Sequence, residues 1–144
     1  VKAVVTGAAG FIGSHLSESL VADGHDVLGV DCFTDYYPRA LKERNLAGLA
    51  GDRRFRLVEA RLQDAALAEL LEGAEVVFHL AAQAGVRASW GSEFSHYTDH
   101  NVLATQRLLE AALASRPRIV YASSSSVYGD AAELPLREDG PCRP

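Results

Sequence analysis

Thr6-Gly7-Ala8-Ala9-Gly10-Phe11-Ile12-Gly13 is the stretch that decides the fold. It follows a short β-branched run, Val1 to Thr6. It opens a segment, Phe11 to Ala22, in which Ile12, Leu16 and Leu20 recur four residues apart, as an amphipathic helix requires. Gly7 permits the tight turn between the two. Gly10 lets backbone approach a pyrophosphate, and Gly13 lets the helix pack close to the sheet. The helix N-terminus then offers free N–H groups and a positive dipole end to the phosphates. A glycine pattern alone is a weak signal. Set between a strand and a helix, it has the context that a dinucleotide-binding turn needs. The alternative is a tight strand-to-helix turn that binds nothing.

Outward from this turn, apolar runs alternate with helical patterns. Asp26 to Asp31 is a second strand after the Gly24 stop, and Pro38 to Leu49 reads as a helix with Pro near its first turn. Phe55 to Glu59 is a third strand. Asp64 is placed to N-cap a helix from Ala65 to Leu71, which Gly73 ends. Glu75 to Leu80 is a fourth strand. Phe94 to Ser115 reads mostly as one long helix, broken by Arg116-Pro117, and Arg118 to Ser123 is a fifth strand. Beyond Gly129 the composition is that of loop. Short apolar strands alternating with helices predict an α/β fold, a doubly wound parallel sheet of Rossmann type, truncated after about five strands. No fixed-period repeat or low-complexity segment is present. Residues 1–144 are expected to form one dinucleotide-binding domain, incomplete, with its C-terminal strands and a substrate domain absent.

Asp31 is the second signal. It closes the second strand, eighteen residues after Gly13. A carboxylate there can accept hydrogen bonds from both adenosine ribose hydroxyls and repels a 2′-phosphate, so the expected cofactor is NAD rather than NADP. Its bland use is a strand-end acid or helix cap. Arg39, Lys42 and Arg44 follow closely, and a basic residue there could tolerate a 2′-phosphate. They fall on a helical stretch and read as a solvated face.

Composition bounds the remaining classes. The 144 residues are 48% hydrophobic and 23% charged, an ordinary globular balance for one domain. Fourteen Lys+Arg against nineteen Asp+Glu give a net charge of −5 with no basic block, which argues against nucleic-acid and anionic-membrane partners. Cys32 and Cys142 lie far apart, without the spacing of a disulfide scaffold or a zinc site. No apolar run approaches the roughly 20 residues that span a bilayer. The N-terminus opens straight into a strand with no charged leader, so a cytoplasmic, reducing setting is expected. There is no Met, and the chain stops in loop composition at Cys142-Arg143-Pro144, so both ends read as trimmed.

Two further motifs join the glycine turn: His79-Leu80-Ala81-Ala82-Gln83-Ala84-Gly85-Val86-Arg87 after the fourth strand, and Tyr121-Ala122-Ser123-Ser124-Ser125-Ser126-Val127-Tyr128-Gly129 after the fifth. Together they resemble the extended short-chain dehydrogenase/reductase family. Within it the chain looks like the nucleotide-sugar epimerase/dehydratase branch, typified by UDP-glucose 4-epimerase and UDP-glucuronate 4-epimerase. The resemblance covers all 144 residues, as the N-terminal part of such an enzyme. It implies NAD as cofactor, a nucleotide-diphosphate sugar as substrate, a UDP-sugar first among them, and 4-epimerisation by transient oxidation and re-reduction at C4. It also implies a homodimer for the full-length protein. A dehydratase or reductase of the same family, or a non-catalytic dinucleotide-binding module, are the alternatives.

The resemblance also assigns roles. Gly7, Gly10 and Gly13 would cradle the cofactor, with Phe11 and Ile12 giving backbone N–H groups to the pyrophosphate. Leu80, Ala81 and Ala82 would line the adenosine and ribose side, at the strand ends where open α/β sheets bind ligands. Asn101 matches a family Asn that braces the active site and cofactor pocket; on pattern alone it could equally hold a neighbouring loop. Gln83 and Arg87 share the rim and could contact cofactor or substrate phosphates, Arg87 also reading as an exposed loop charge. Ser124, four before Tyr128, takes the place of the active-site Ser/Thr. That hydroxyl bonds the sugar hydroxyl being oxidised and passes its proton toward a catalytic Tyr. Ser123, Ser125 and Ser126 are close rivals, with Ser126 placed to reach the substrate.

Departures from the family pattern are informative. Arg61 stands where the family often has an Asp that reads the adenine amino group. Ser125 and Ser126 stand where dehydratases carry Asp-Glu, which favours epimerisation. The catalytic Tyr-x-x-x-Lys should follow Ser124 by roughly twenty-five residues. The chain reaches Pro144 before that place, so residues 1–144 alone are expected to be inactive and either to self-associate or to be only marginally stable. His79 reads as a hydrogen-bonded structural residue and His15 as the polar edge of the first helix. Trp90 and Phe94 are expected to anchor the long helix. His96 and His100 have metal-compatible i,i+4 spacing but no third ligand nearby, so no metal is expected.

Overall fold

A single parallel sheet of five strands, in the order β3-β2-β1-β4-β5, organises the computed structural model, which describes residues 1–130 and 134–144. The strands are β1 (Lys2–Thr6), β2 (Asp26–Asp31), β3 (Phe55–Glu59), β4 (Val76–His79) and β5 (Arg118–Tyr121). The helices are α1 (Phe11–Ala22), α2 (Arg39–Asn45), α3 (Leu67–Leu70), α4 (Phe94–Tyr97) and α5 (Ala104–Ser115). From β1 the chain winds outward through β2 and β3, then crosses back to β4 and β5. The reversal lies between β1 and β4, the point at which doubly wound sheets bind ligands. Register aligns the site: Thr6 is level with Val30 of β2 and with His79 of β4.

Burial explains the layers. Ala3, Val4 and Val5 of the central strand are essentially inaccessible, so both faces of the sheet are covered. On one face Val4, Leu28, Val30 and Val77 pack with Leu67 of α3, with Leu71 at its C-cap, and with Ala104, Leu108 and Ala112 of α5. On the other, Val5, Ala8 and Val27 meet Leu16, Leu20 and Val21 of α1. Leu71 and Leu108 are the largest fully buried side chains, and truncating either to Ala would cost about 2–5 kcal/mol. Among the described residues, no helix is long and apolar enough to cross a membrane.

Several expectations need correction. α1 does not bury a stripe that begins at Ile12. Its fully buried residues are Gly13, Ser14 and Ser17, while Ile12 is 64% exposed. The helix approaches the turn through its glycine, and the small residues form the contact. Ser17 keeps its hydroxyl paired by donating to the Gly13 carbonyl at 2.8 Å. The helix expected over Pro38 to Leu49 ends at Asn45 and continues as a 3₁₀ turn, Ala47–Leu49. Asp64 caps nothing: the N-cap of the short α3 is Ala66, and the Asp64 carboxylate faces the Arg61 guanidinium at 3.6 Å instead. β4 and β5 stop at His79 and Tyr121, short of Leu80 and Ser123. The long helix is interrupted by a π-helical stretch, Thr98–Leu103, between α4 and α5. Trp90 and Phe94 do not anchor it; both are largely exposed.

Candidate functional site

At the carboxyl ends of β1, β2 and β4 lies a cleft of about 330 Å³. The glycine turn forms its floor. Gly7 adopts φ +71°, which glycine alone reaches without strain, and its N–H donates to the Val30 carbonyl at 2.8 Å. A Cβ on Gly7 would stand 2.9 Å from the Ala81 nitrogen, and one on Gly13 would stand 2.1 Å from the Gly7 carbonyl oxygen. The turn, the first coil of α1 and the exit of β4 are therefore pressed together. No side chain caps α1 at Gly10. The N–H groups of Phe11, Ile12 and Gly13 are left as the unfilled donors of the first turn, a ready anion site.

Asp31 closes the opposite end of the cleft. Its carboxylate is buried, accepting from the Ala9 N–H at 3.0 Å and the Phe33 N–H at 2.8 Å. Lys42 Nζ lies 3.5 Å from Asp31 Oδ1, and both side chains are buried. Lys42 also donates to Thr34 Oγ1 at 3.3 Å and lies 5.3 Å from the centre of the Tyr37 ring. This corrects the reading of Lys42 as part of a solvated face: α2 turns it inward onto Asp31 and into the cleft lining. Burial, and after it the Asp31 charge, raise both the Tyr37 phenol and the Cys32 thiol. Both line the cleft as neutral groups near pH 7.

Between β1 and β4 a chain of hydrogen bonds runs into the helical layer. Thr6 Oγ1 contacts His79 Nδ1 at 2.8 Å, His79 Nε2 contacts Thr105 Oγ1 at 2.9 Å, and the Thr105 hydroxyl donates to the Asn101 carbonyl at 2.7 Å. Burial lowers the His79 pKa. The Asn101 amide grips the loop after β4 at both ends: Oδ1 accepts from the Gln83 N–H at 2.7 Å and Nδ2 donates to the Gln83 carbonyl at 3.1 Å.

Of the residues singled out in the sequence, Gly7, Gly10, Phe11, Ile12, Gly13, Asp31, Leu80, Ala81 and Ala82 come together around the cleft. Asn101 stands behind it, holding Gln83. Gln83 is half-buried and Arg87 is exposed on the loop beyond. Ser124 and Ser126 lie past β5 and pair with each other, Oγ to Oγ at 3.1 Å, while Ser124 Oγ also accepts from the Ser126 N–H at 3.2 Å and caps a 3₁₀ turn, Ser125–Tyr128. Neither serine lines the cleft, although Ala122, two residues before Ser124, does.

Arg61 turns to the Asp99 carboxylate, and neither residue lines the cleft. Sequence reasoning missed Lys42, Gln63 and His100 as lining residues. No motif marked them; the nearest signal was the Pro38-led helix after Asp31, whose polar face needed a partner. His96 and His100 meet edge-on with ring centres 5.2 Å apart. Among the described residues, no group of three metal-ligating side chains is assembled.

Residues 3–144 match the pattern of the NAD dependent epimerase/dehydratase family. The chain is 52% identical over 132 residues to an uncharacterized UDP-glucose epimerase of Bacillus subtilis, covering 90% of this chain and 42% of that protein. It is 44% identical over 142 residues to UDP-glucuronate 4-epimerase 3 of Arabidopsis thaliana, covering 94% and 32%. The chain thus spans less than half the length of these relatives. Among solved structures it resembles UDP-glucuronic acid 4-epimerase from Bacillus cereus in complex with UDP-glucuronic acid and NAD. There the TM-score is 0.88 at 39% identity, over 100% of this chain and 46% of that one. It also resembles UDP-N-acetylglucosamine 4-epimerase from Methanobrevibacter ruminantium, with TM-score 0.81 and 32% identity over 99% and 44% of the two chains.

Proposed function

The chain belongs to the NAD dependent epimerase/dehydratase family, and we propose that it is the cofactor-binding part of an NAD-dependent nucleotide-sugar 4-epimerase. One observation carries this reading: the first turn of α1 is packed so tightly on the glycine turn that a Cβ on Gly13 would overlap the Gly7 carbonyl, while the buried Asp31 carboxylate faces the same cleft. Glycines that leave room for a ligand backbone, unfilled N–H groups and a ribose-level carboxylate fit a dinucleotide. NAD, when bound, would supply the means of oxidising and re-reducing C4 of the sugar.

The chain's own residues divide the work. Phe11, Ile12 and Gly13 N–H groups hold the pyrophosphate. Asp31 accepts from the adenosine ribose, with Lys42 beside it. Leu80, Ala81 and Ala82 wall the cofactor at the β4 exit, in a loop that Asn101 fixes through Gln83. Gln83 and Arg87 face the substrate side of the rim. Ser124 bonds the reacting sugar hydroxyl, with Ser126 as its neighbour. Relatives named for UDP-glucose and UDP-glucuronate support a UDP-sugar as substrate. A homodimer of the whole protein is supported by the exposed stripe Val102, Leu109 and Leu113. A cytoplasmic setting is part of the same proposal.

The test is incubation of the full-length protein and catalytic NAD with UDP-glucose or UDP-glucuronate, followed by NMR of the sugar. The expected product is the C4 epimer at equilibrium with no net NADH. A 4-keto-6-deoxy product would make the protein a dehydratase, and NAD binding without turnover would make it a binding module.

A further inference from the structure

Lys42 is the one buried lysine or arginine among the described residues. Its counter-charge is Asp31, the carboxylate at the ribose end of the cleft. Of the three basic residues near α2, only Lys42 lines that cleft. Arg39 is exposed and occupied by Glu59 in a bidentate pair at 2.8 and 2.7 Å and by Glu43 at 2.8 Å. An ammonium group has three donors. Thr34 Oγ1 takes one and Asp31 faces another, so one N–H remains for an acceptor in the cleft. The Asp31 carboxylate does not depend on Lys42 for its place, because the Ala9 and Phe33 N–H groups hold it.

We propose that Asp31 and Lys42 set dinucleotide selectivity as a pair: the carboxylate bars a 2′-phosphate, and the ammonium beside it is a latent ligand for one. The proposal rests on reading the cleft as a dinucleotide site. With both charges present the local field is near neutral, and the Asp31 carboxylate faces the cleft beside the ammonium. A phosphate brought there meets like charge, while a hydroxyl meets an acceptor. Neutralising Asp31 leaves an already positioned, desolvated cation facing the same place. Charge-assisted bonds to phosphate are strong in such surroundings.

The experiment measures binding, not turnover. NAD and NADP are titrated calorimetrically into the full-length wild type, Asp31→Asn, Lys42→Met and the double variant, with 2′-AMP against 5′-AMP as a probe of the ribose end. The expected result is a rise in NADP affinity relative to NAD of about tenfold or more in Asp31→Asn, the scale of one charge-assisted hydrogen bond. The double variant loses that rise. Lys42→Met alone lowers the NADP-to-NAD affinity ratio about tenfold. If Asp31→Asn does not fold because its buried ammonium lacks a counter-ion, the Lys42→Met ratio decides, since that variant keeps both backbone bonds to Asp31. A gain in Asp31→Asn that survives in the double variant, or an unchanged ratio in Lys42→Met, overturns the pair. A wild type that binds neither dinucleotide overturns the cleft reading itself.

Discussion

The Thr6 hydroxyl and Nδ1 of His79 lie 2.8 Å apart, and this bond fixes the state of the imidazole. The Thr6 oxygen already accepts from the Leu80 and Ala81 N–H groups, each at 3.2 Å, so its proton goes to Nδ1. At the other end the Thr105 hydroxyl spends its proton on the Asn101 carbonyl and must accept from Nε2–H. The ring is therefore neutral and protonated on Nε2. A second proton, on Nδ1, would face the Thr6 hydroxyl proton and leave the network without an acceptor.

Stability should consequently fall in acid. Burial puts the native pKa of His79 below that of the unfolded chain. As pH falls below about 6.5, the unfolded state takes up its proton first, and stability drops toward the lower native pKa. The contribution is complete above that range. Urea unfolding at pH 7.5 and 5.5 should show a larger acid loss in the wild type than in His79→Gln, which is less stable at pH 7.5 but lacks the titration. His100, also lowered by burial with His96 contributing, acts equally in both proteins and cancels. Equal acid losses would refute the assignment to His79.

Asn101→Ala should loosen the loop after β4 without unfolding the sheet. Two hydrogen bonds to the Gln83 backbone are lost, a cost of about 1–3 kcal/mol. Hydrogen exchange at the Gln83 amide should accelerate, and NAD affinity should weaken with it. Asn101→Asp should keep the bond from the Gln83 N–H but set a carboxylate oxygen against the Gln83 carbonyl, giving an intermediate effect. Unchanged exchange at Gln83 in Asn101→Ala would remove Asn101 from a bracing role.

How much of this was legible follows from range. α1, β2 and β3 match their sequence boundaries because their signals are local: a glycine turn, a strand run, a stop. The π stretch at Thr98–Leu103 was hidden because it opens with four polar residues, Thr98 to Asn101, which carry no apolar period in which an extra residue per turn would show. Lys42 was misread because its partner, Asp31, comes from the preceding strand, and composition cannot tell an inward-turned lysine from a solvated one. Asp64 was misread because a nearby arginine competed for its carboxylate.

Gly13→Ala should be costly in both stability and binding. The added methyl would meet the Gly7 carbonyl oxygen at 2.1 Å and the Ala8 Cα at 3.0 Å, all backbone that cannot rotate away. Relief requires α1 to lift from the turn, at about 1–3 kcal/mol or more. Lifting α1 also displaces the N–H groups of Phe11 and Ile12, so NAD affinity should fall further than stability does. Thermal unfolding with and without NAD checks both, and a Gly13→Ala protein with native melting temperature and native NAD affinity would contradict the close packing.

Ser124 carries two jobs that substitution can separate. Its oxygen caps the Ser125–Tyr128 turn through the Ser126 N–H, and its hydroxyl is the group proposed to bond the sugar. In the full-length protein, Ser124→Ala should lower turnover by roughly 10²-fold or more, the scale of a lost proton-transfer partner. NAD affinity should change little, because Ser124 lies outside the cleft lining. Loss of the cap alone should cost about 1 kcal/mol of stability. Ser124→Thr keeps both the acceptor and the hydroxyl and should restore most of the rate. Ser124→Asn keeps an oxygen for the Ser126 N–H but cannot relay a proton, so it should fold like the wild type and remain as slow as Ser124→Ala. Recovery of turnover in Ser124→Asn would reduce Ser124 to a cap. Full turnover in Ser124→Ala together with a slow Ser125→Ala would shift the reactive hydroxyl along the run by one residue.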